Sequence, residues 1–393
     1  MKLKRIPFLH CLSHTLSPNS SPKQESNHKA MHNAKVLPWL LAAFAPLIGL
    51  IGPVAYLQGL TQTLWFFLPL VIFYLLIPLL DWLIGEDNRN PSEEDVAFLQ
   101  SRAYFNWMVY VAVGMVWLTV LTNIVFLATN TLSWGAMLAL VITTGSVLGF
   151  GLNASHELGH KKDAFNRKLA LLTAALGGYG HFSIEHNRGH HRHVATPEDP
   201  ASSKLGESIY RFVLREIPGA MQRAWHLEAS RLELRGKSRW HVENEILQAH
   251  GFFLLLYTSL VAAFGIKMLF IVIPVVLWGM FQLTSANYIE HYGLMRKQLE
   301  NGKYETTQPY HSWNSNHLIS NLCLFQLQRH SDHHAHPARH YQCLRDFPQL
   351  PRLPSGYFGM FVLAYIPPLW FKVMDAKVHA WAQEHQSPIN ALP

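Results

Sequence analysis

At 393 residues the chain is long enough for one large domain or two ordinary ones, but only 15% of it is charged while 49% is hydrophobic, against roughly 25% charged in a soluble domain. The apolar residues gather into runs of bilayer length, which excludes an ordinary soluble enzyme and points to an integral membrane protein with a sizeable polar part. The formal net charge of +7 follows from the Lys and Arg that membrane proteins collect in cytoplasmic segments. No nucleic-acid motif accompanies it, so a nucleic-acid partner is set aside.

The first 35 residues are polar, with Ser, Lys, Pro and four histidines (His10, His14, His28, His32). They hold no apolar core of signal-peptide length and are expected to form a disordered extension. Met31, just before the first apolar run, is an alternative start. Six spans follow, each near the roughly 20 residues a bilayer requires: 36–57, 64–84, 106–127, 132–152, 249–264 and 268–286. Only "QGLTQT" separates the first two, which predicts a tight helical hairpin, and "ATNT" joins the third to the fourth. Pro274 lies inside the sixth span, where neighbouring helices satisfy the carbonyl it frees.

Between the fourth and fifth spans stand fourteen Lys or Arg, from Lys161 to Arg239, while the connections on the other face hold almost none. The positive-inside rule therefore places both termini and the long polar segments in the cytoplasm. The last apolar stretch, "FGMFVLAYIPPLWFKVM", is interrupted by Pro367-Pro368 and reads as an interfacial or core-packing segment. The expected architecture is all-α: a membrane-embedded domain over 36–367 with six transmembrane helices and a helical cytoplasmic cap, then a C-terminal tail over 368–393.

Histidines concentrate in that cap. "HELGH" puts His156 and His160 at i and i+4, one face of a helix that continues the fourth span. "EHNRGHH" supplies His186, His190 and His191, and "RHSDHH" supplies His330, His333 and His334. His291 in "NYIEHYG" stands just beyond the sixth span. Neutral imidazole is a good ligand for iron, copper, nickel or zinc. A catalytic zinc takes three protein ligands, so eight or nine histidines on one membrane face suit two ions of higher coordination number better. Redox-active iron makes sense of a site that faces an apolar cavity within the membrane.

"HELGH" also matches the zinc-protease signature, with Glu157 as general base, but two further histidine clusters weigh against it. His181, His193, His311, His317, His336 and His340 lack the repeated spacing and suit supporting or surface roles. Glu185, Asp199, Glu290 and Asp332 stand beside the clusters, placed to accept the second N–H of a ligating ring and fix its tautomer; each is equally readable as a plain carboxylate. Cys11, Cys323 and Cys343 form no CxxC pair, so the chain carries no cysteine-built iron–sulfur centre of its own.

"HELGHK" (156–161), "EHNRGHH" (185–191), "NYIEHYGL" (287–294) and "LQRHSDHH" (327–334) together resemble the membrane-bound alkane 1-monooxygenases, in the superfamily of membrane fatty acid desaturases and hydroxylases. The likeness runs from about 36 to 367, and "NYIEHYGL" separates the alkane hydroxylases from the fatty-acyl desaturases. The resemblance implies two non-haem iron ions held by His156, His160, His186, His190, His191, His291, His330, His333 and His334. It implies insertion of one oxygen atom of O2 into a terminal C–H bond of an alkane, with electrons from rubredoxin and its reductase. The setting it implies is a bacterial inner membrane, with membrane lipid around the spans. A fatty-acyl desaturase or hydroxylase is the alternative within the superfamily. Phe73 and Tyr74 on the second span are candidates for limiting chain length, although helix packing explains them as well.

Overall fold

A computed structural model describes residues 37–392; the expectation of a disordered 1–35 extension lies outside them. Among the described residues six helices are long and apolar enough to cross a membrane: Leu37–Leu57, Leu64–Ile84, Ala103–Thr129, Trp134–Gly159, Glu245–Phe264 and Ile266–His291. The described residues contain no sheet, only isolated bridges between loops. Two helices overrun their apolar segments. The fourth continues to Gly159 and the sixth to His291, so each lifts histidines out of the bilayer on a rigid rod rather than on a loop. The first span is wound partly as 3-10 helix over Ala45–Leu50, where Pro46 lacks the N–H of a regular turn.

The fourth span is the centre of the bundle, with 72% of its most apolar window buried against 17% for the fifth span at the periphery. Glycine lets it approach the sixth span. A Cβ at Gly145 would stand 2.7 Å from the Trp278 Cβ, and one at Gly279 would stand 2.8 Å from the Leu148 Cβ. In lipid, where neighbouring tails are as apolar as leucine, helices associate through such close contacts and through polar ties. Asn123 on the third span supplies a tie, donating to the Gly49 carbonyl (3.2 Å) and to Thr144 Oγ1 (3.1 Å).

Over the fourth and sixth spans lies a polar cap. The helix Ile209–Glu233 opens on Ser208, whose hydroxyl accepts from the Arg211 amide. The short helices Leu318–Cys323 and His330–Ala335 follow the sixth span. Asp81, buried at the end of the second span, accepts from the Ile319 amide (3.0 Å), the Ser320 amide (3.1 Å) and the Ser320 hydroxyl. That carboxylate fastens the 318–335 segment to the bundle.

Residues 368–392, after the first proline of the diproline, are ordered chain that packs on the domain. Pro367–His385 is a helix, bent by 118° from Tyr357–Ala364, and it buries Trp370, Met374 and Val378. Beyond it the Asn390 amide donates to the Gly293 carbonyl (3.0 Å), and the Asn390 carbonyl accepts from the Leu205 amide (2.6 Å). The diproline ends one helix but begins another, because a first helical turn needs no N–H from proline.

Candidate metal centre

The nine histidines come together as two groups, five and four. His156, His160, His186, His191 and His333 form one; His190, His291, His330 and His334 form the other; within each group the donor atoms all lie within 4.8 Å of one another. Neighbours in sequence part company. His190 and His191 belong to different groups, as do His333 and His334. Around an α-helix, positions i+3 and i+4 diverge by about 100°, so His334 stays with His330 while His333 turns toward His156. His186–His190 is a π-helical turn, a widened winding frequent at functional sites, and it brings His191 Nε2 to 3.0 Å from His186 Nε2.

The spacings fit a metal. His156 Nε2 stands 2.9 Å from His333 Nε2, His334 Nε2 2.9 Å from His330 Nε2, and His330 Nε2 3.3 Å from His291 Nε2. Ligands about 2.1 Å from one ion are separated by about 3.0 Å in an octahedron and 3.4 Å in a tetrahedron; two of these contacts lie just under the octahedral value and the third lies between the two. His160 Nε2 and His190 Nε2 are buried with no hydrogen-bond partner, an arrangement that costs free energy unless a ligand takes it up. Both groups open on one cavity, whose walls include His156, His186 and His330 beside Phe182, Leu283, Ala286 and Leu327.

The fatty acid desaturase family model matches residues 132–363, a stretch that contains all nine histidines. Alkane 1-monooxygenase of Pseudomonas putida is 50% identical over 90% of this chain and 87% of its own. Alkane 1-monooxygenase 1 of Alcanivorax borkumensis is 47% identical over 95% of this chain and 92% of its own. Alkane 1-monooxygenase of Ectopseudomonas oleovorans is 50% identical over 88% and 86%. The chain belongs to the alkane 1-monooxygenase family. It is therefore a multi-pass membrane oxidoreductase of the desaturase superfamily, with histidine clusters suited to metal.

Electrostatics prepare this family site for a cation. Burial first, and neighbouring imidazoles second, hold His160, His186, His191, His330, His333 and His334 well below the usual histidine pKa. They are neutral, the form that ligates. His190 departs from the pattern: burial pulls it down, but Asp199 and Glu185 outweigh burial and its pKa is raised. Asp199 Oδ2 accepts from His190 Nδ1 (2.9 Å) and from the Ser202 hydroxyl (2.7 Å), and Arg223 Nη2 donates to Oδ1 (2.7 Å). Burial opposes the Asp199 charge, yet His190 and Arg223 prevail and hold this carboxyl below its ordinary range. The His311 carbonyl lies 3.3 Å from His291 Nδ1 and orients that ring.

The four acidic candidates divide. Asp199 reaches the far nitrogen of a ring. Glu290 Oε2 instead lies 3.3 Å from His330 Nε2, the nitrogen that faces His291 and His334, so this carboxylate lines the cavity rather than backing the ring. Glu185 is held by Arg223 Nε (2.9 Å) and Nη2. Asp332 pairs with Arg339 (2.6 Å) and accepts from the Arg345 amide (2.9 Å). Glu157, the base that a zinc protease would need, is paired with Lys161 (2.7 Å). Phe73 packs between Phe150 (5.4 Å) and Phe358 (6.3 Å), and Tyr74 bonds to Ser146 and Gln282 (both 2.8 Å).

Sequence reasoning missed Arg223 and Glu216, both on the cap helix Ile209–Glu233. The signal was present: the inward stripe Phe212, Glu216, Ala220, Ala224 sets a carboxylate among apolar residues at helical spacing. Gly189 makes room for Arg223, since a Cβ there would stand 2.5 Å from its Nε.

Proposed function

We propose that this chain hydroxylates the terminal carbon of alkanes, using two iron ions held by the five- and four-histidine groups, O2, and electrons from rubredoxin. The observation that carries the reading is the pairing of nine clustered imidazoles with a cavity walled by Phe182, Leu283, Ala286 and Leu327. When bound, the irons supply the activation of O2 and the removal of a hydrogen atom, chemistry that no side chain performs. The apolar wall holds a chain end without a polar handle and keeps water from the reacting carbon. Asp199 and the His311 carbonyl fix the tautomers of His190 and His291, and Arg223 locks Asp199 and Glu185 in place behind them. The site lies on the cytoplasmic face of the inner membrane, where the excess of Lys and Arg favours an acidic electron donor.

Membranes containing the protein, incubated with alkanes of graded length, rubredoxin and its reductase, are expected to yield primary alcohols by mass spectrometry. Desaturated acyl chains without alcohol would favour the desaturase alternative. Metal analysis of purified protein is expected to find two irons; a single zinc and no iron would overturn the assignment.

A further inference from the structure

Glu216 is 1% exposed and sits on the cap helix, one hydrogen bond away from the cavity wall through Asn287 and outside both histidine groups. Three donors converge on its carboxyl group: the Tyr179 hydroxyl (3.1 Å), Thr284 Oγ1 (2.9 Å) and Asn287 Nδ2 (3.2 Å). Among the described residues no cation lies within ion-pair distance of it. Asn287 lines the cavity. On the other side stands Glu185, paired with Arg223, which opens on a surface groove with His193, Glu198 and His226. The titratable groups facing Glu216 are thus Tyr179 and Glu185, and its neighbours on the sixth span, Thr284 and Asn287, are neutral. Burial first, then the Glu185 charge, push its pKa up to about 7 against the pull of the three donors.

We propose that Glu216 is the proton store of this centre, filled from the polar face and emptied into the cavity during turnover. The inference rests on the hydroxylation reading. In that reaction RH, O2, two electrons from the protein donor and two protons give ROH and water. The oxygen atom that leaves as water takes up both protons inside a cavity whose walls are mostly apolar, with Glu290 and Asn287 among the polar groups on them. The Glu216 O–H bond breaks, its proton passes toward that oxygen, the carboxylate remains on the three donors, and solution protons restore the acid. A carboxyl group held by three neutral donors and no cation can exist in either protonation state, which the arginine-paired Glu185 cannot do as readily.

The test uses the full-length protein in lipid nanodiscs. Infrared titration of metal-free protein is expected to show a buried carboxyl C=O band disappearing near pH 7, absent from Glu216→Gln. In the hydroxylation assay Glu216→Gln is expected to retain its metal and lose turnover by about a hundredfold, as general acids do, with Glu216→Asp recovering part of it. Should the Gln variant fail to fold, Thr284→Val decides. Losing a donor to the carboxylate raises the Glu216 pKa, moving the alkaline limb of the pH–rate profile up by about one pH unit. No titrating band, a Glu216→Gln variant as fast as wild type, or an unmoved limb in Thr284→Val would each overturn the proposal. Wild-type protein runs in parallel: if it makes no alcohol, the hydroxylation reading itself has failed, whatever Glu216 does.

Discussion

Replacing Asp199 with Asn tests how the cap controls the four-histidine group. The carboxylate is fully buried and satisfies His190 Nδ1 and Ser202 through one oxygen and Arg223 through the other. An Asn amide accepts on one side only and donates on the other, so either His190 or Arg223 loses its acceptor. Arg223 keeps Glu185, so the cost on that side stays below the 3–5 kcal/mol or so of an isolated buried charge. The larger effect falls on His190, which loses the group that fixes its tautomer. Losses of this kind lower metal affinity by about 10–100-fold, or about 1.4–2.7 kcal/mol. Chelator titration of purified protein is expected to empty one of two metal positions at a chelator level lower by that factor. Asp332→Asn is the control, because Asp332 pairs with Arg339 and the Arg345 amide and touches no ring nitrogen. Equal metal retention by wild type and Asp199→Asn would refute the reasoning.

Other outcomes follow from the same geometry. His333→Ala and His334→Ala alter adjacent residues but should each remove a different metal, leaving about half the content by elemental analysis; spectroscopy of the remaining ion should differ between the two. Gly145→Val places a side chain where Trp278 already stands, so overpacking should destabilise the bundle by about 1–3 kcal/mol in thermal unfolding, while Gly114→Ala, with open space around it, should not. Asp81→Ala strips two amides and a hydroxyl of their acceptor and should expose the 318–335 segment to limited proteolysis. For metal-free protein, histidines with depressed pKa values bind protons more readily when unfolded. Their contribution to stability is full above pH about 6.5 and is lost as pH falls below it; acid titration by circular dichroism reads this, and bound metal should shift the loss to lower pH.

The spans were legible because a bilayer imposes a length and a composition that local sequence either meets or does not. The helix ends were less so: hydropathy stops near residues 152 and 286, and although the His156/His160 spacing suggested that the fourth rod continues, only the structure fixes its end at Gly159 and carries the sixth on to His291. Polar residues continue a helix when the cap gives them partners, which hydropathy does not register. The C-terminal helix escaped for a related reason, since the diproline marks an end and a beginning alike. At the site, spacing singled out eight histidines and position after the sixth span added His291, while Glu185, Asp199, Glu290 and Asp332 stood beside them with ring partner and plain carboxylate equally readable. Spacing could not anticipate that Glu290 faces the cavity or that Asp332 belongs to Arg339.

Sequence alone determined what kinds of atoms this protein offers: six apolar rods, three phased histidine clusters and one histidine past the last span. Those are properties of short windows, read through the period of a helix and the thickness of a membrane. Tertiary structure decided how they combine. The division into groups of five and four histidines separates His190 from His191 and His333 from His334, and it arises where four distant segments converge. Arg223 and Glu216 enter from a cap helix whose local pattern shows only an amphipathic face. The physical reason is that the partners of a clustered imidazole or a buried carboxylate are defined by distances of about 3 Å between residues far apart in the chain; a single window can show that Glu216 lies on an inward face, but not which groups meet it there.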